Sequence, residues 1–298
     1  MGGAFVAVAS DSSATWWNPA GLASGPFFDM ALMRGVVDTD DQLPAWRQRM
    51  SGLALGTPAL GLSYYRFWLT DIQPPDPTAE ERPGRNTGEA GVPIHSLLAS
   101  QLGVTLVQTL LPGVHTGATL KYLRGRFSAG QSDEPASPGE LLDRGDGLSG
   151  GDTEGRFDLD LGVLATAGVV RLGARVRNAL EATFGPVRME RQTRLGVAVA
   201  PEAVGGVPLT VAIDADVDAY TVATGRRRVV AVGGEQWFLG RRLGVRAGGR
   251  LNTVGARERS AAAGASVAVR TGWYIDGHVV RGGAADEEGW GVAARVSF

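Results

Sequence analysis

The 298-residue sequence contains no cysteine and only one lysine, Lys121. Without cysteine there is no disulfide framework, thiolate metal site or cysteine nucleophile. No phosphate-binding glycine loop carries a lysine, and the three histidines lack the spacing of metal ligands. The sequence therefore predicts no catalytic residue, no metal and no cofactor, and the protein is not expected to be an enzyme.

Excess positive charge is also missing. The 29 basic and 31 acidic residues leave a net charge of −2, so no nucleic-acid partner is expected. No apolar run approaches the ~20 residues of a membrane helix, although a barrel would show none, because only alternate residues face lipid. No signal peptide is visible where Met1 leads into GGAFVAVAS, and we expect that it was removed from this numbering.

What the sequence does contain is alternation with a period of two. In FDLDLGVLA, starting at Phe157, apolar residues share one face and Asp158 and Asp160 the other. The same alternation runs through VVRLGARVRN, PLTVAIDADVDA and RRLGVRAGGRL. Such alternation predicts strands, each with one apolar and one polar face.

About 14 strand candidates follow one another along the chain. They lie near 29–38, 49–57, 60–70, 95–110, 114–127, 156–167, 169–178, 189–200, 207–219, 226–238, 241–252, 261–270, 272–281 and 289–298. Every second connection is mostly tight, and the long polar ones fall near 71–93 and 128–155. Short turns at one end and long loops at the other favour an all-β, transmembrane antiparallel barrel over a soluble sandwich. The expected location is the outer membrane of a Gram-negative bacterium, in contact with its lipid.

The last strand candidate, GWGVAARVSF, ends the chain on an aromatic residue. Trp290, Val296 and Phe298 share one face of it. This pattern resembles the signal that the barrel-assembly machinery reads, so that machinery is an expected partner during biogenesis.

Residues 2–23 read GGAFVAVASDSSATWWNPAGLA. They resemble the opening of the PorV family, within the wider FadL-like group of outer-membrane barrels. The resemblance implies a hatch or plug segment at 1–28 and a barrel at 29–298. Its expected hatch residues are Asp11, Trp16, Trp17, Asn18, Pro19 and Gly21. Ser10 or Asp11 is expected to cap a helix over 12–17, which Asn18-Pro19 ends.

Alternation also directs charged residues of both signs into the predicted lumen. These are Asp158, Asp160, Arg171, Arg175, Arg177, Asp214, Asp216, Arg242, Arg246 and Asp276. Because isolated charges in a confined interior are costly, we expect ion pairs between neighbouring strands, with Asp158 and Asp160 facing Arg171 and Arg175. Such a lumen is unsuited to a wide diffusion pore and to an apolar tunnel for fatty acids; it holds structural ion pairs or a selective polar path.

Three motifs in the predicted loop 128–155 are weak evidence of function. Gly147 to Gly151 matches G-x-S-x-G but lacks the strand before it that a nucleophile elbow needs. The loop's acidic residues match no known calcium-loop spacing. Arg144-Gly145-Asp146 invites an adhesion interpretation on three residues only.

Two functional interpretations stay open. The leading one is a PorV-like, non-catalytic barrel that binds or anchors protein clients, or serves secretion, at the cell surface. The alternative is a FadL-like transporter of a hydrophobic small molecule, which predicts an apolar pocket near the hatch, lined by Trp16, Trp17 and Phe27-Phe28, beside a kinked strand. A soluble enzyme would need a catalytic constellation that the sequence lacks.

Overall fold

The computed structural model describes residues 1–39, 43–74, 91–134, 136–222, 225–255, 258–282 and 287–298. Fourteen antiparallel strands form the wall of a closed barrel. In chain order they are β1 (Asp29–Thr39), β2 (Ala45–Gly56), β3 (Leu60–Ile72), β4 (Val92–Leu111), β5 (Val114–Ser132), β6 (Thr153–Ala167), β7 (Val170–Arg177), β10 (Gln192–Val199), β11 (Leu209–Asp216), β14 (Val229–Phe238), β15 (Leu243–Asn252), β16 (Arg259–Arg270), β17 (Trp273–Gly282) and β18 (Glu288–Ser297). Two short hairpins, β8 (Thr183–Phe184) with β9 (Val187–Arg188) and β12 (Tyr220–Val222) with β13 (Gly225–Arg227), stand in the connections.

The barrel closes where β1 pairs with β18, as Asp29 opposite Ser297 through Asp38 opposite Glu288. Each remaining barrel strand pairs with its sequence neighbours in the wall. The predicted fold class, an all-β antiparallel barrel of about 14 strands, is confirmed. Closure leaves no unpaired edge in the wall, so every wall strand has a partner on both sides.

The two ends of the barrel differ in their connections. At one end, which we call the short-turn end, tight turns join β4 to β5 and β6 to β7 at Gly113 and Gly168, whose φ values of 79° and 58° favour glycine. At the long-loop end the chain between β3 and β4 includes 75–90, so most of the predicted loop 71–93 lies outside the described residues.

The predicted loop 128–155 is shorter than expected. Strand β5 continues to Ser132, β6 begins at Thr153, and a helix, α2 (Pro138–Asp146), lies between them. Within the described ranges no helix is long and apolar enough to cross a membrane.

The N-terminal segment, residues 1–28, holds a short helix α1 (Ala14–Trp17) and a 3-10 helix at Pro19–Ser24. It contacts strands all round the wall. A Cβ added at Gly61 of β3, Gly173 of β7 or Gly248 of β15 would collide with atoms of this segment. Because these strands lie on different sides of a closed barrel, the segment lies in the lumen.

Candidate functional site

Wall glycines hold the N-terminal segment at close range. The carbonyl of Val6 would meet a Cβ at Gly173, and the Met1 backbone would meet one at Gly233 or Gly248. Pro19 and Ala20 sit equally close to Gly117. The segment therefore fits against the wall because these inward positions carry no side chain.

Helix α1 is shorter than the predicted 12–17, and its cap differs. It begins at Ala14 after Ser13, whose side chain makes no capping hydrogen bond. The Asp11 carboxylate instead accepts a hydrogen bond from the Ser13 backbone N–H at 3.0 Å. The other Asp11 oxygen pairs with Arg295 of β18 at 2.5 Å, which ties the segment to the closing strand.

Asn18 is the polar anchor of the N-terminal segment. Its fully buried side-chain amide donates to the carbonyls of Val6 at 2.7 Å and of Val163 in β6 at 3.0 Å. Its oxygen accepts from the Ala20 N–H at 3.2 Å and caps the 3-10 helix that starts at Pro19. One side chain thus joins two turns of the segment to the wall. Gly21 lies buried in that 3-10 helix, against the Ala9 carbonyl.

The aromatic residues of the segment form a second anchor. Trp16 stacks on Phe67 and meets Tyr65 edge-on, both with ring centroids 5.2 Å apart. The Arg177 guanidinium lies 3.3 Å from the centroid of the Trp16 ring. Trp17 stacks on Phe5 within the segment, at 4.9 Å. A cation–π contact inside a closed lumen adds to the apolar packing.

Phe27 and Phe28 are not part of this cluster, so the predicted pocket lining is wrong for both. Phe27 is 82% exposed, and Phe28 lies at the barrel seam, where its ring is 6.4 Å from that of Phe298. The prediction of a kinked strand named no strand and stays a prediction. Strand β3 pairs with β2 and β4 without a register shift. The register shifts between Thr109 and Leu111, where β4 pairs with β5, and between Ala268 and Arg270, where β16 pairs with β17.

The predicted partners of Asp158 and Asp160 are wrong. Both carboxylates pair with Lys121 on β5, at 2.9 and 2.6 Å. The Lys121 ammonium also donates to the Asn178 side-chain oxygen at 2.9 Å, so its three donors are all used. The register of the strands is the reason. On β5, Lys121 lies opposite Asp158 and Thr119 lies opposite Asp160. On β7, Arg171 lies opposite Thr166 and therefore away from both aspartates.

Besides Arg177, which lies over Trp16, the predicted lumen arginines differ in their contacts. Arg175 is buried and donates to the carbonyls of Trp17 at 3.2 Å and Trp16 at 3.4 Å. Arg246 pairs with Asp276 at 3.1 Å. Arg171 is half-buried near the short-turn end, and Arg242 is exposed in the turn between β14 and β15, so Arg242 does not belong to the lumen. The predicted strand pattern included Arg242, which lies in the turn one residue before β15 begins.

Two aspartates connect the lumen wall to other parts of the site. Asp214 accepts hydrogen bonds from the backbone N–H groups of Phe5 at 2.7 Å and Val6 at 2.9 Å. Asp216 pairs with Arg194 at 2.6 Å and accepts from the Val229 N–H. The predicted network thus exists in part, but Asp214 binds the N-terminal segment rather than an arginine. The segment's use of Asp214 was missed, because sequence alternation cannot tell where the segment runs.

A cavity of about 100 Å³ lies beside the segment toward the long-loop end. Gly2, Gly3 and Trp17 line one side, and charged wall residues, including Arg194, Arg250 and Glu287, line the other. A polar space of this size suits a few water molecules rather than an apolar ligand.

Helix α2 packs on the outside of the wall at the long-loop end. Leu141 and Leu142 are buried with Ala45, Ile72 and Ile94. Ile72 lies seven residues after the inward-facing Tyr65 in a strand without a bulge, so it faces outward. Two acidic residues of α2 form ion pairs with the wall at this contact: Asp146 with Arg49 at 2.6 Å, and Asp143 with Arg47 at 2.6 Å.

The loop motifs take no chemical role in this arrangement. A capping box starts α2, and hydrogen bonds from the backbone and side chain of Ser137 lower the pKa of Glu140. Ser149 follows this helix rather than a strand, which is not the context of a nucleophile elbow. Over the described ranges no group of three or more acidic or histidine residues could hold a metal ion.

The C-terminal residues lie on the outer face of the seam. Trp290 is opposite Val36 of β1, and Val296 is opposite Met30. The Phe298 backbone exchanges two hydrogen bonds with that of Phe28, at 2.9 and 3.2 Å, and its side chain is exposed. Their role as an assembly signal stays a prediction.

Comparisons with known proteins show which solved structures share this architecture. A scan against protein-family models gave no match, and a search of curated proteins gave none. Among solved structures, the toluene transporter TbuX of Ralstonia pickettii superimposes with a TM-score of 0.67 and 14% identity, covering 100% of this chain and 98% of TbuX. The chain has a FadL-like barrel fold.

Two further structures agree with this assignment of the fold. The monoaromatic hydrocarbon channel CymD has a TM-score of 0.69 and 13% identity, over 100% of this chain and 95% of its own. A FadL homologue of Pseudomonas aeruginosa has a TM-score of 0.65 and 11% identity, over 99% and 96%. TbuX is described as a toluene transporter and CymD as a monoaromatic hydrocarbon channel. At such identities the likeness establishes the fold.

Proposed function

We propose that this protein is a FadL-like transporter of the Gram-negative outer membrane, which passes a hydrophobic small molecule through the barrel. The observation that carries the proposal is the N-terminal segment lodged in the lumen of a 14-stranded barrel. The neighbours with this fold over nearly their whole length are described as a toluene transporter and a monoaromatic hydrocarbon channel. They support the transporter over the anchoring role that the sequence first suggested.

The lumen supports gated rather than open passage. The N-terminal segment contacts strands on every side, and the charge network around Lys121 and Arg175 fills the wall beside it. A cargo that crosses the barrel must therefore displace part of the segment. The aromatic cluster of Trp16, Tyr65 and Phe67 offers an apolar surface beside that path.

A disulfide across this contact tests the proposal, because the native chain has no cysteine to interfere. A Cβ at Gly196 would lie 3.1 Å from that of Val6, somewhat below the ~3.5–4.5 Å of a disulfide, and it would also meet the Asp214 carboxylate, so both must shift slightly to form the bond. In Val6→Cys/Gly196→Cys, oxidation should stop uptake of toluene by cells that lack such a channel, and reduction should restore it.

The matched control links the same barrel strand from outside. Val197 and Ile213 are paired, exposed positions on β10 and β11, so Val197→Cys/Ile213→Cys leaves the segment free. Uptake by this control should not depend on oxidation. Unchanged uptake through a lumen cross-link verified by mass would contradict the gating proposal.

A second candidate is the PorV-like binding of protein clients or secretion components. It is favoured by α2, which forms an ordered surface held to Arg47 and Arg49 on the outer wall. Native mass spectrometry of protein gently extracted from its own outer membranes separates the two candidates. A retained protein partner favours client binding, and a bound small molecule without one favours transport. Absence from the outer-membrane fraction contradicts both.

A further inference from the structure

Arg34 of β1 and Arg66 of β3 are arginines of the outer face that have no acidic partner among the described residues. Both are exposed, and both lie directly opposite Ser51 of β2, which separates them. Paired residues share a face, and neighbouring strands are about 5 Å apart, so the two arginine backbones are about 10 Å apart. Their side chains can converge over Ser51.

These arginines differ from their charged neighbours on the same face. Arg47 pairs with Asp38, Asp143 and Asp146, and Arg49 pairs with Asp146. The Arg66 guanidinium instead lies 4.2 Å from the centroid of the Trp68 ring, toward the long-loop end. Two like charges at the edge of an apolar surface repel each other, and an anion between them removes that repulsion.

An apolar depression of about 550 Å³ adjoins this pair on the side of the short-turn end. Arg34 and Ser51 themselves line its edge, and the rest of its outward-facing lining consists of Leu32, Leu53, Tyr64, Ile275, Val292 and Ala294. Leu32, Leu53 and Tyr64 occupy the next outward position on the three strands that carry Arg34, Ser51 and Arg66. Positive charge therefore lies directly above an apolar groove.

The level of the arginines fits the boundary between lipid chains and headgroups. Trp290, Val36, Arg49 and Trp68 form the next paired row toward the long-loop end. Outward tryptophans mark this boundary in membrane barrels, and arginine side chains extend toward it from apolar positions. In a barrel whose long loops face the outside, the boundary belongs to the outer leaflet.

We propose that this surface binds an anionic lipid of the outer leaflet whose phosphate is a terminal monoester, not a zwitterionic phosphodiester such as phosphatidylcholine. Arg34 and Arg66 hold the phosphate, with the Ser51 hydroxyl between them, and an acyl chain fills the groove formed around Leu53 and Tyr64. Arginine suits this role because its guanidinium binds phosphate with two parallel hydrogen bonds. The proposal rests on the outer-membrane location given under the proposed function, but not on transport.

The test is native mass spectrometry of the full-length protein, folded in detergent micelles and titrated with bisphosphorylated lipid A or with phosphatidylcholine. Lipid A should bind more tightly. Arg34→Gln/Arg66→Gln should weaken lipid A about tenfold and leave phosphatidylcholine unchanged, since only charge-assisted contacts are lost. Arg281→Gln is the matched control, because Arg281 is an outward arginine already paired with Glu288 at 2.9 Å.

Three results would overturn the lipid site: equal affinity for both lipids, an unchanged affinity of the double variant, or displacement of lipid A by dodecanoate at lower concentration. The last would assign the groove to a hydrophobic acid as cargo. Toluene uptake is measured separately. Loss of lipid A binding with normal uptake leaves transport intact, whereas lipid A binding without uptake by the native protein contradicts transport alone.

Discussion

Arginines occupy both faces of the same wall, and their surroundings differ. In the lumen Arg194 pairs with Asp216 at 2.6 Å, and Arg295 pairs with Asp11 at 2.5 Å. On the outer face Arg34 and Arg66 contact no acidic side chain in the part of the chain that the structure describes. A closed lumen cannot rely on bulk water or lipid headgroups, so the protein supplies the partners itself, as carboxylates, as backbone carbonyls to Arg175 or as the Trp16 ring to Arg177. On the outer face, in the proposed outer-membrane location, lipid headgroups can supply them.

Among the substitutions that test this difference between the two faces, Lys121→Met should have the largest effect on stability. The substitution leaves Asp158 and Asp160, both almost fully buried, without their cation. Removing one partner of a buried ion pair costs about 3–5 kcal/mol, so the free energy of unfolding should fall by that amount. Urea unfolding of the protein in lipid vesicles, followed by tryptophan fluorescence, measures it.

The triple variant Lys121→Met/Asp158→Asn/Asp160→Asn sharpens the same test. Removing all three charges removes the unpaired carboxylates, and most of the lost stability should return. A single variant as stable as the native protein would show that water reaches this part of the lumen.

Asn18→Ala should have the next largest effect. It leaves the carbonyls of Val6 and Val163 without a donor and removes the cap of the 3-10 helix. The expected loss is about 1–3 kcal/mol of unfolding free energy. Ion conductance across a planar bilayer should rise, because the segment is held less firmly. The control Gln108→Ala, at an exposed position near the short-turn end, should change neither quantity.

Gly173→Ala tests the close fit between the N-terminal segment and the wall. The added methyl group meets the backbone of Val6, so we expect a loss of about 1–2 kcal/mol, as in overpacked cores. Gly277→Ala is the matched wall glycine, since nothing lies within 4 Å of its added Cβ. Equal losses in the two variants would mean that strand propensity, rather than the segment, sets the effect.

The smallest effect is expected for Arg281→Gln. Arg281 and Glu288 form an exposed pair on the outer face, and such pairs contribute about 0–1 kcal/mol. The unfolding free energy should therefore change by less than about 1 kcal/mol. A larger loss of unfolding free energy would contradict the expected difference, in which ion pairs on the outer face contribute less to stability than those in the lumen.

The barrel itself could be predicted because one simple period repeats along the chain. The predicted ends of β3, β7 and β15 differ from the structure by at most two residues. Alternation fails where strands end, which is why Arg242 was directed inward. It also cannot choose between two neighbouring strands, so Asp158 was assigned to β7 when its partner, Lys121, lies on β5.

The sequence indicates α2, the two short hairpins and the path of the N-terminal segment less clearly than it indicates the wall strands. The capping box Ser137-Pro138-Gly139-Glu140 marks the start of α2 and could have been found in the sequence. The hairpins at 183–188 and 220–227 are too short for any period to show. The sequence indicates the position of the N-terminal segment only in part. Gly173 and Gly248 take inward positions between outward-facing apolar residues, but nothing in their spacing indicates which residue of the segment lies against each of them.

The bond between Asp11 and Arg295 joins positions 284 residues apart in the chain. Strand β1 likewise finds one of its two partners, β18, only at the other terminus. Contacts so distant in sequence form slowly, because the intervening chain must first be ordered. The N-terminal segment is synthesised before the strands of the wall, yet the wall that encloses it is complete only when β18 arrives. We therefore expect enclosure of the segment and closure of the seam to be one late event in assembly, and a chain shortened before β18 to leave the segment accessible to protease.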